Sequence, residues 1–263
     1  MDLGIKKRTA LVTAASKGIG RAIAESLISE GAKVAICSSN EENLITTAGE
    51  IKENYGEEPL WIKCDLSKSD DIRKTFEIVR DEFGSIDILV NNCGGPPTGK
   101  IDSIDETIWE ESYRQVLMSV TRFVNLVLPS MKEKHWGRII NITSFTVKQP
   151  IKNFVLSNSL RSAVRGYTKT LSNEIGEFNV TANCIAPGYT LTHRLYELAV
   201  EIAKETGDSH EHILGELACE VPLKRLARPD EIASAVAFIA SEKAGYITGN
   251  VIPVDGGIVK SAF

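Results

Sequence analysis

Hydrophobic and polar positions along the chain follow two periods in turn. Short, near-continuous apolar runs recur as "TALVTA", "KVAICS", "PLWIKCD", "IDILVNN", "GRIINITS", "NVTANCIAP" and "NVIPVD". Uninterrupted Val, Ile, Leu and Ala of this kind suit strands covered on both faces. Between these runs, residues 20–30, 41–55, 69–83, 107–134, 155–176 and 229–240 carry the spacing of helices that bury one side. Pro229 opens the last helix, where its missing N–H costs nothing, and acidic Asp230 and Glu231 follow in the first turn.

Strand–helix alternation predicts right-handed βαβ crossovers. The expected fold is α/β: a single doubly wound Rossmann-type domain, with a parallel seven-stranded sheet and helices on both faces. No composition break divides residues 1–263. Residues 190–221 are helix-like but interrupted by "TGDSHEH", and they follow the sixth strand. An insertion there lies over the strands' carboxyl ends, where doubly wound sheets bind ligands, so it is read as a substrate lid. Its Leu195, Leu198, Ile202, Ile213, Leu214 and Leu217 suit the lining of an apolar pocket and the packing of helices equally well.

Composition removes several classes of function. A net charge of −5 argues against a protein that grips nucleic-acid phosphates. The cluster Lys6-Lys7-Arg8 precedes the first strand and reads as a solvated terminus. Five cysteines without a C-x-x-C pair suit reduced thiols in the cytoplasm. His210 and His212 lack further nearby ligands, so no metal is expected. No apolar run approaches the ~20 residues of a membrane helix, so a soluble protein is expected.

The chemistry begins at "TAASKGIG", residues 13–20, where the first strand enters a helix. A glycine-bearing turn of this kind offers backbone N–H groups and a helix N-terminus to a phosphate. Gly18 and Gly20 resemble the last two glycines of the T-G-x-x-x-G-x-G turn of the short-chain dehydrogenase/reductase family. Ala14 stands where that pattern has its first glycine, a substitution that is disfavoured if the turn is left-handed. "CDL" at 64–66, "NNCG" at 91–94, "NITS" at 141–144, "APG" at 186–188 and "VDGG" at 254–257 match further family landmarks in order and spacing. The chain resembles a divergent branch of that family, similar to 3-oxoacyl-acyl-carrier-protein reductases.

The resemblance implies a dinucleotide held by Thr13, Ser16, Lys17, Gly18, Ile19 and Gly20 in the turn. It implies further contacts from Ser38, Ser39 and Asn40, from Asp65 and Leu66, from Asn92 and Gly94, and from Pro187 and Gly188. No carboxylate ends the second strand, and Lys17 sits in the phosphate turn, so NADP is expected in preference to NAD. The family also implies a homotetramer acting on a small carbonyl or alcohol.

The catalytic pattern is where the resemblance breaks. Aligned with the family's Tyr-x-x-x-Lys, the stretch "FVLSN" places Phe154 on the tyrosine and Asn158 on the lysine. Val116 falls where a relay asparagine would stand, and Ser144 alone keeps the family's residue type. No tyrosine in the chain has a lysine four positions later. One reading is an NADP-dependent oxidoreductase with a different proton donor. Lys148 is the nearest ionisable candidate, and Lys152 and His193 are weaker ones. The alternatives are a catalytically silent cofactor-binding sensor or scaffold, and non-redox chemistry in the same pocket.

Overall fold

A computed structural model describes residues 2–262. Seven strands form one parallel sheet: β1 Thr9–Thr13, β2 Lys33–Ser38, β3 Leu60–Lys63, β4 Ile88–Asn91, β5 Gly137–Ile142, β6 Val180–Pro187 and β7 Val251–Val254. Their order is β3-β2-β1-β4-β5-β6-β7, so the winding reverses between β1 and β4. The register pairs Thr13 with Cys37, Val12 with Val90, Asn91 with Asn141 and Pro187 with Val254, which brings the carboxyl ends to one edge. Every residue of β1, β4, β5 and β6 is buried, as their unbroken apolar runs require.

The helices are α1 Gly18–Ser29, α2 Glu41–Tyr55, α3 Ser69–Phe83, α4 Glu106–Tyr113, α5 Ser119–Glu133, α6 Val155–Ile175, α7 His193–Thr206, α8 His210–Glu220 and α9 Pro229–Ala240. Apolar residues of α1, α2 and α9 pack on one face of the sheet, and those of α3, α5 and α6 pack on the other. The apolar spacing over 107–134 implies one helix. The helical backbone does run on from α4 to α5, through a π-helical segment, Arg114–Met118. Such a single widened turn inside an α-helix is frequent near functional sites.

The interrupted segment after β6 folds as α7 and α8, each started by a side-chain cap. Thr192 accepts from the Leu195 N–H, and Ser209 accepts from the His212 N–H. Leu195, Leu198, Ile213 and Leu217 are buried in a cluster of their own, with Ile202 and Leu214 packed against it. His210 and His212 face Glu211 and Glu216 instead of each other. Among the described residues, no helix is long and apolar enough to cross a membrane.

Candidate active site

A cavity of about 410 Å³ runs across the carboxyl ends of β3, β2, β1, β4, β5 and β6. Adjacent strands lie 4.7–4.9 Å apart, so the trough is about 24 Å long, room for two nucleotides end to end. It crosses the point where the strand order reverses, the place at which open α/β sheets bind ligands.

The turn after β1 forms one end. Gly18 has φ +59°, and a Cβ on Gly20 would lie 2.4 Å from the Ala14 carbonyl oxygen and 2.8 Å from Asn92 Nδ2. Only glycine lets the strand, the turn and Asn92 approach this closely. Asn92 closes the contact: Nδ2 donates to the Ala14 carbonyl at 3.2 Å, and its backbone N–H donates to Thr13 Oγ1 at 2.9 Å. Ala14 itself has φ +47°, so the position that lacks the expected glycine is left-handed and strained. At the start of α1, Lys17 caps the helix without a side-chain hydrogen bond, so the first N–H groups remain available to an anion.

Ser16, Lys17, Gly18 and Ile19 line the cavity beside Ser38 and Ser39, and Ser16 Oγ donates to Ser38 Oγ at 2.9 Å. Asp65 and Leu66 line the far end. Burial alone would raise Asp65, yet hydrogen bonds from the Ser67 hydroxyl and N–H and the Lys68 ammonium hold its carboxyl below the ordinary range. Asn92, Gly94, Pro187 and Gly188 complete the wall toward the centre. Three expected contacts act from behind it instead. Thr13 and Gly20 shape the turn, and Asn40 caps α2 by accepting the Asn43 N–H at 2.8 Å. These groups fit a dinucleotide, with backbone N–H donors for the diphosphate and hydroxyls beside an ammonium at the second strand.

The other end is built by β5 and α6. Ser144 lies on the wall in extended backbone, and its Oγ accepts from the Thr146 N–H at 3.2 Å, which leaves the hydroxyl proton free to point elsewhere. Lys148 stands half-buried at the end of the following 3₁₀ turn and Lys152 is exposed; neither belongs to the cavity wall. His193 does, but it neighbours Thr192, whose Cγ2 would lie 3.3 Å from a Cβ on Gly18, so it stands at the phosphate turn. Among the ionisable candidates of the sequence, none accompanies Ser144.

Phe154, just before α6, and Ser157 and Arg161 on it line the cavity; Asn158 is absent from the wall. Phe154 packs against the α7–α8 cluster, whose Leu195 and Leu198 also line the site. Arg161, unremarked in the sequence, is only 7 % exposed, and Nη1 donates to the carbonyls of Ile142 at 2.8 Å and Thr143 at 3.0 Å. Tyr189 closes the wall edge-on to Phe145, with ring centroids 5.2 Å apart. Burial, followed by the nearby Glu220 carboxylate, pushes its phenol up to about 12, so it is neutral at physiological pH.

Residues 13–259 match a family model described as enoyl-(acyl carrier protein) reductase. The chain is 33% identical over 258 residues to 3-oxoacyl-(acyl-carrier-protein) reductase FabG of Aquifex aeolicus, covering 98% of this chain and 100% of that protein. It is 30% identical over 258 residues to NADPH-dependent reductase BacG of Bacillus subtilis, again covering 98% and 100%. Among solved structures, L-sorbose reductase of Gluconobacter frateurii in complex with NADPH and L-sorbose superposes with a TM-score of 0.94. Its sequence identity is 33%, with 99% of this chain and 100% of that one covered.

Proposed function

Because the chain belongs to the short-chain dehydrogenase/reductase family of NAD(P)-dependent oxidoreductases, we propose that it reduces a small carbonyl compound with NADPH, through an active site that lacks the family's tyrosine and lysine. The observation that carries this reading is the continuity of the cavity: the phosphate turn at Gly18 and the Ser144 hydroxyl face one trough. FabG and BacG relatives named as reductases, and the NADPH-bound sorbose reductase, support the same cofactor and direction.

Bound NADPH supplies a hydride to the carbonyl carbon. The residues of this chain orient and polarise the substrate. Ser144, already accepting the Thr146 N–H, donates its own proton to the carbonyl oxygen. A preorganised donor of this kind stabilises the negative charge that grows there. Phe154, Leu195 and Leu198 hold an apolar flank of the substrate and keep bulk water from that side. The proton that completes the alcohol comes from Ser144 Oγ, which is reprotonated from water in the open part of the cavity. General acid catalysis by a dedicated tyrosine contributes ~10²–10⁴-fold, so its absence slows turnover without removing positioning.

The assembly is proposed to be a homotetramer, by analogy with the family. Edge strand β7 is only partly buried, Phe238 is 39% exposed and Tyr246 is fully exposed, which leaves apolar surface for such contacts. Sedimentation showing a monomer at micromolar concentration would contradict it. The function itself is tested by incubating the protein with NADPH and a panel of ketones, aldehydes and acyl thioesters. Oxidation with at least one class is expected; NADPH that binds but stays reduced throughout would identify a binding protein instead.

A further inference from the structure

Arg194 is a cation in the wrong place for its helix. It lies in the first turn of α7, where no acidic residue stands and the positive end of the helix disfavours a cation. Its one carboxylate neighbour among the described residues, Glu197, is 3.9 Å from Nη1 and is closer to His193 Nε2, at 3.1 Å. Arg194 lines the cavity all the same. A residue that breaks a local rule at a cavity wall points to a ligand as the compensation.

The guanidinium is laid along the loop that follows β4. Nη2 donates to the Pro96 carbonyl at 3.2 Å, and Nε lies 3.2 Å from the place a Cβ on Gly95 would take. Gly95 is outside the left-handed region, so glycine serves there as space for the guanidinium. The same loop is tied to α7 a second time, by Thr98 Oγ1 donating to Glu201 Oε2 at 3.1 Å. At its other end the Gly99 N–H donates to the Asn153 carbonyl at 2.8 Å, beside Phe154. Four residue steps from Gly95 to Gly99 cover at most about 14 Å. One short loop therefore joins Arg194 to the apolar flank made by Phe154, Leu195 and Leu198, which serves the Ser144 half of the cavity. Asp65, the one carboxylate among the described lining residues, belongs to the far end.

We propose that the carbonyl compound is an oxo acid, its carboxylate received by Arg194 and its apolar part laid on Phe154, Leu195 and Leu198. This rests on the reading that the cavity reduces a carbonyl with NADPH. Beyond the bond to Pro96, the fork has no hydrogen-bond acceptor among the described residues, and a planar fork suits a carboxylate. The positive end of α7 favours the same charge. A neutral ketone or ester leaves these donors without an anion.

The test uses benzoylformate, benzoylacetate and benzoylpropionate, which set a carboxylate at increasing distance from the ketone, each paired with its methyl ester. With wild type and NADPH, kcat/KM for at least one acid should exceed that for its ester by about tenfold. That is the scale of a charge-assisted contact at a side chain 40% exposed to solvent. The ratio should fall toward one in Arg194→Met and recover in part in Arg194→Lys, which keeps the charge without the fork. Calorimetry should show NADPH bound by Arg194→Met as tightly as by wild type, which also shows the variant to be folded. Esters reduced as well as all three acids by wild type would overturn the proposal, whatever the variants do. So would a ratio that survives Arg194→Met, or a loss of NADPH affinity in that variant, which would assign the guanidinium to the cofactor. If no acid and no ester oxidises NADPH, while the wider carbonyl panel is also inert, the reductase reading falls and this substrate class with it.

Discussion

Asn158 turns its amide away from the cavity and toward Ile151: Nδ2 donates to the Ile151 carbonyl at 2.9 Å, and Oδ1 is buried without a partner. Asn158 therefore ties the loop before α6 to the helix. Asn158→Ala removes one hydrogen bond and one unpaired oxygen together. It should lower stability by about 1 kcal/mol in urea unfolding while leaving NADPH affinity unchanged. A large loss of affinity at unchanged stability would place Asn158 in the binding site after all.

Lys17 and the hydroxyls of Ser38 and Ser39 line the cavity, and Asp65 is the one carboxylate among its described lining residues. An ammonium there favours the extra phosphate of NADPH over the bare ribose of NADH. Charge-assisted hydrogen bonds contribute about 1.5–3 kcal/mol, so Lys17→Ala should weaken NADPH by roughly ten- to a hundredfold and NADH far less. Calorimetry showing equal losses would remove Lys17 from cofactor selection.

The phosphate turn carries one strained alanine and one indispensable glycine. Ala14→Gly relieves a left-handed φ of +47° and should raise stability by up to about 1 kcal/mol, with binding retained. Gly20→Ala drives a methyl to 2.4 Å from the Ala14 carbonyl and should cost about 1–3 kcal/mol, with weakened NADPH binding. Thermal melts of the two variants moving in the same direction would contradict this geometry.

Glu231 anchors the start of α9, accepting from Arg225 at 2.7 Å through each oxygen and from the Arg228 N–H at 2.8 Å. The Arg225 guanidinium first, and the Arg228 N–H next, hold its carboxyl down at about 2. A depressed folded value means that the contribution is complete above the ordinary carboxylate range and is lost as pH falls toward 2. Glu231→Gln should therefore flatten the acid side of the stability profile in that window, and the more so at low salt. An unchanged profile would show the anchor to be idle.

The sheet, its parallel winding and most of the residues that line the cavity were legible because they depend on local patterns: apolar runs, a glycine turn, short landmarks at strand ends. Helix bounds at 41–55, 69–83 and 229–240 coincide with the apolar spacing. Ala14 left the sign of its φ open, since composition does not report the backbone angle that Asn92 and Gly20 enforce. The apolar residues of 190–221 could be assigned only once α7 and α8 paired: Leu195, Leu198, Ile213 and Leu217 pack in one cluster, and Leu195 and Leu198 also reach the cavity. Arg161 was missed because aligning "FVLSN" to Tyr-x-x-x-Lys directs attention to Phe154 and Asn158, whereas the pair four apart that lines the cavity together is Ser157 and Arg161. A long side chain one turn further along reaches the same wall. Lys148 looked close in sequence to Ser144, but the 3₁₀ turn between them carries it off the wall.

The central claim is that a carbonyl is reduced against Ser144 without the family's tyrosine. Single-turnover oxidation of bound NADPH, followed in a stopped-flow instrument with a substrate found active in the panel, tests it directly. Wild type should oxidise NADPH in one exponential phase, and Ser144→Ala should be slower by roughly 10²-fold or more with its NADPH affinity intact, the scale of losing one preorganised donor. Ser144→Ala reacting as fast as wild type would contradict the account.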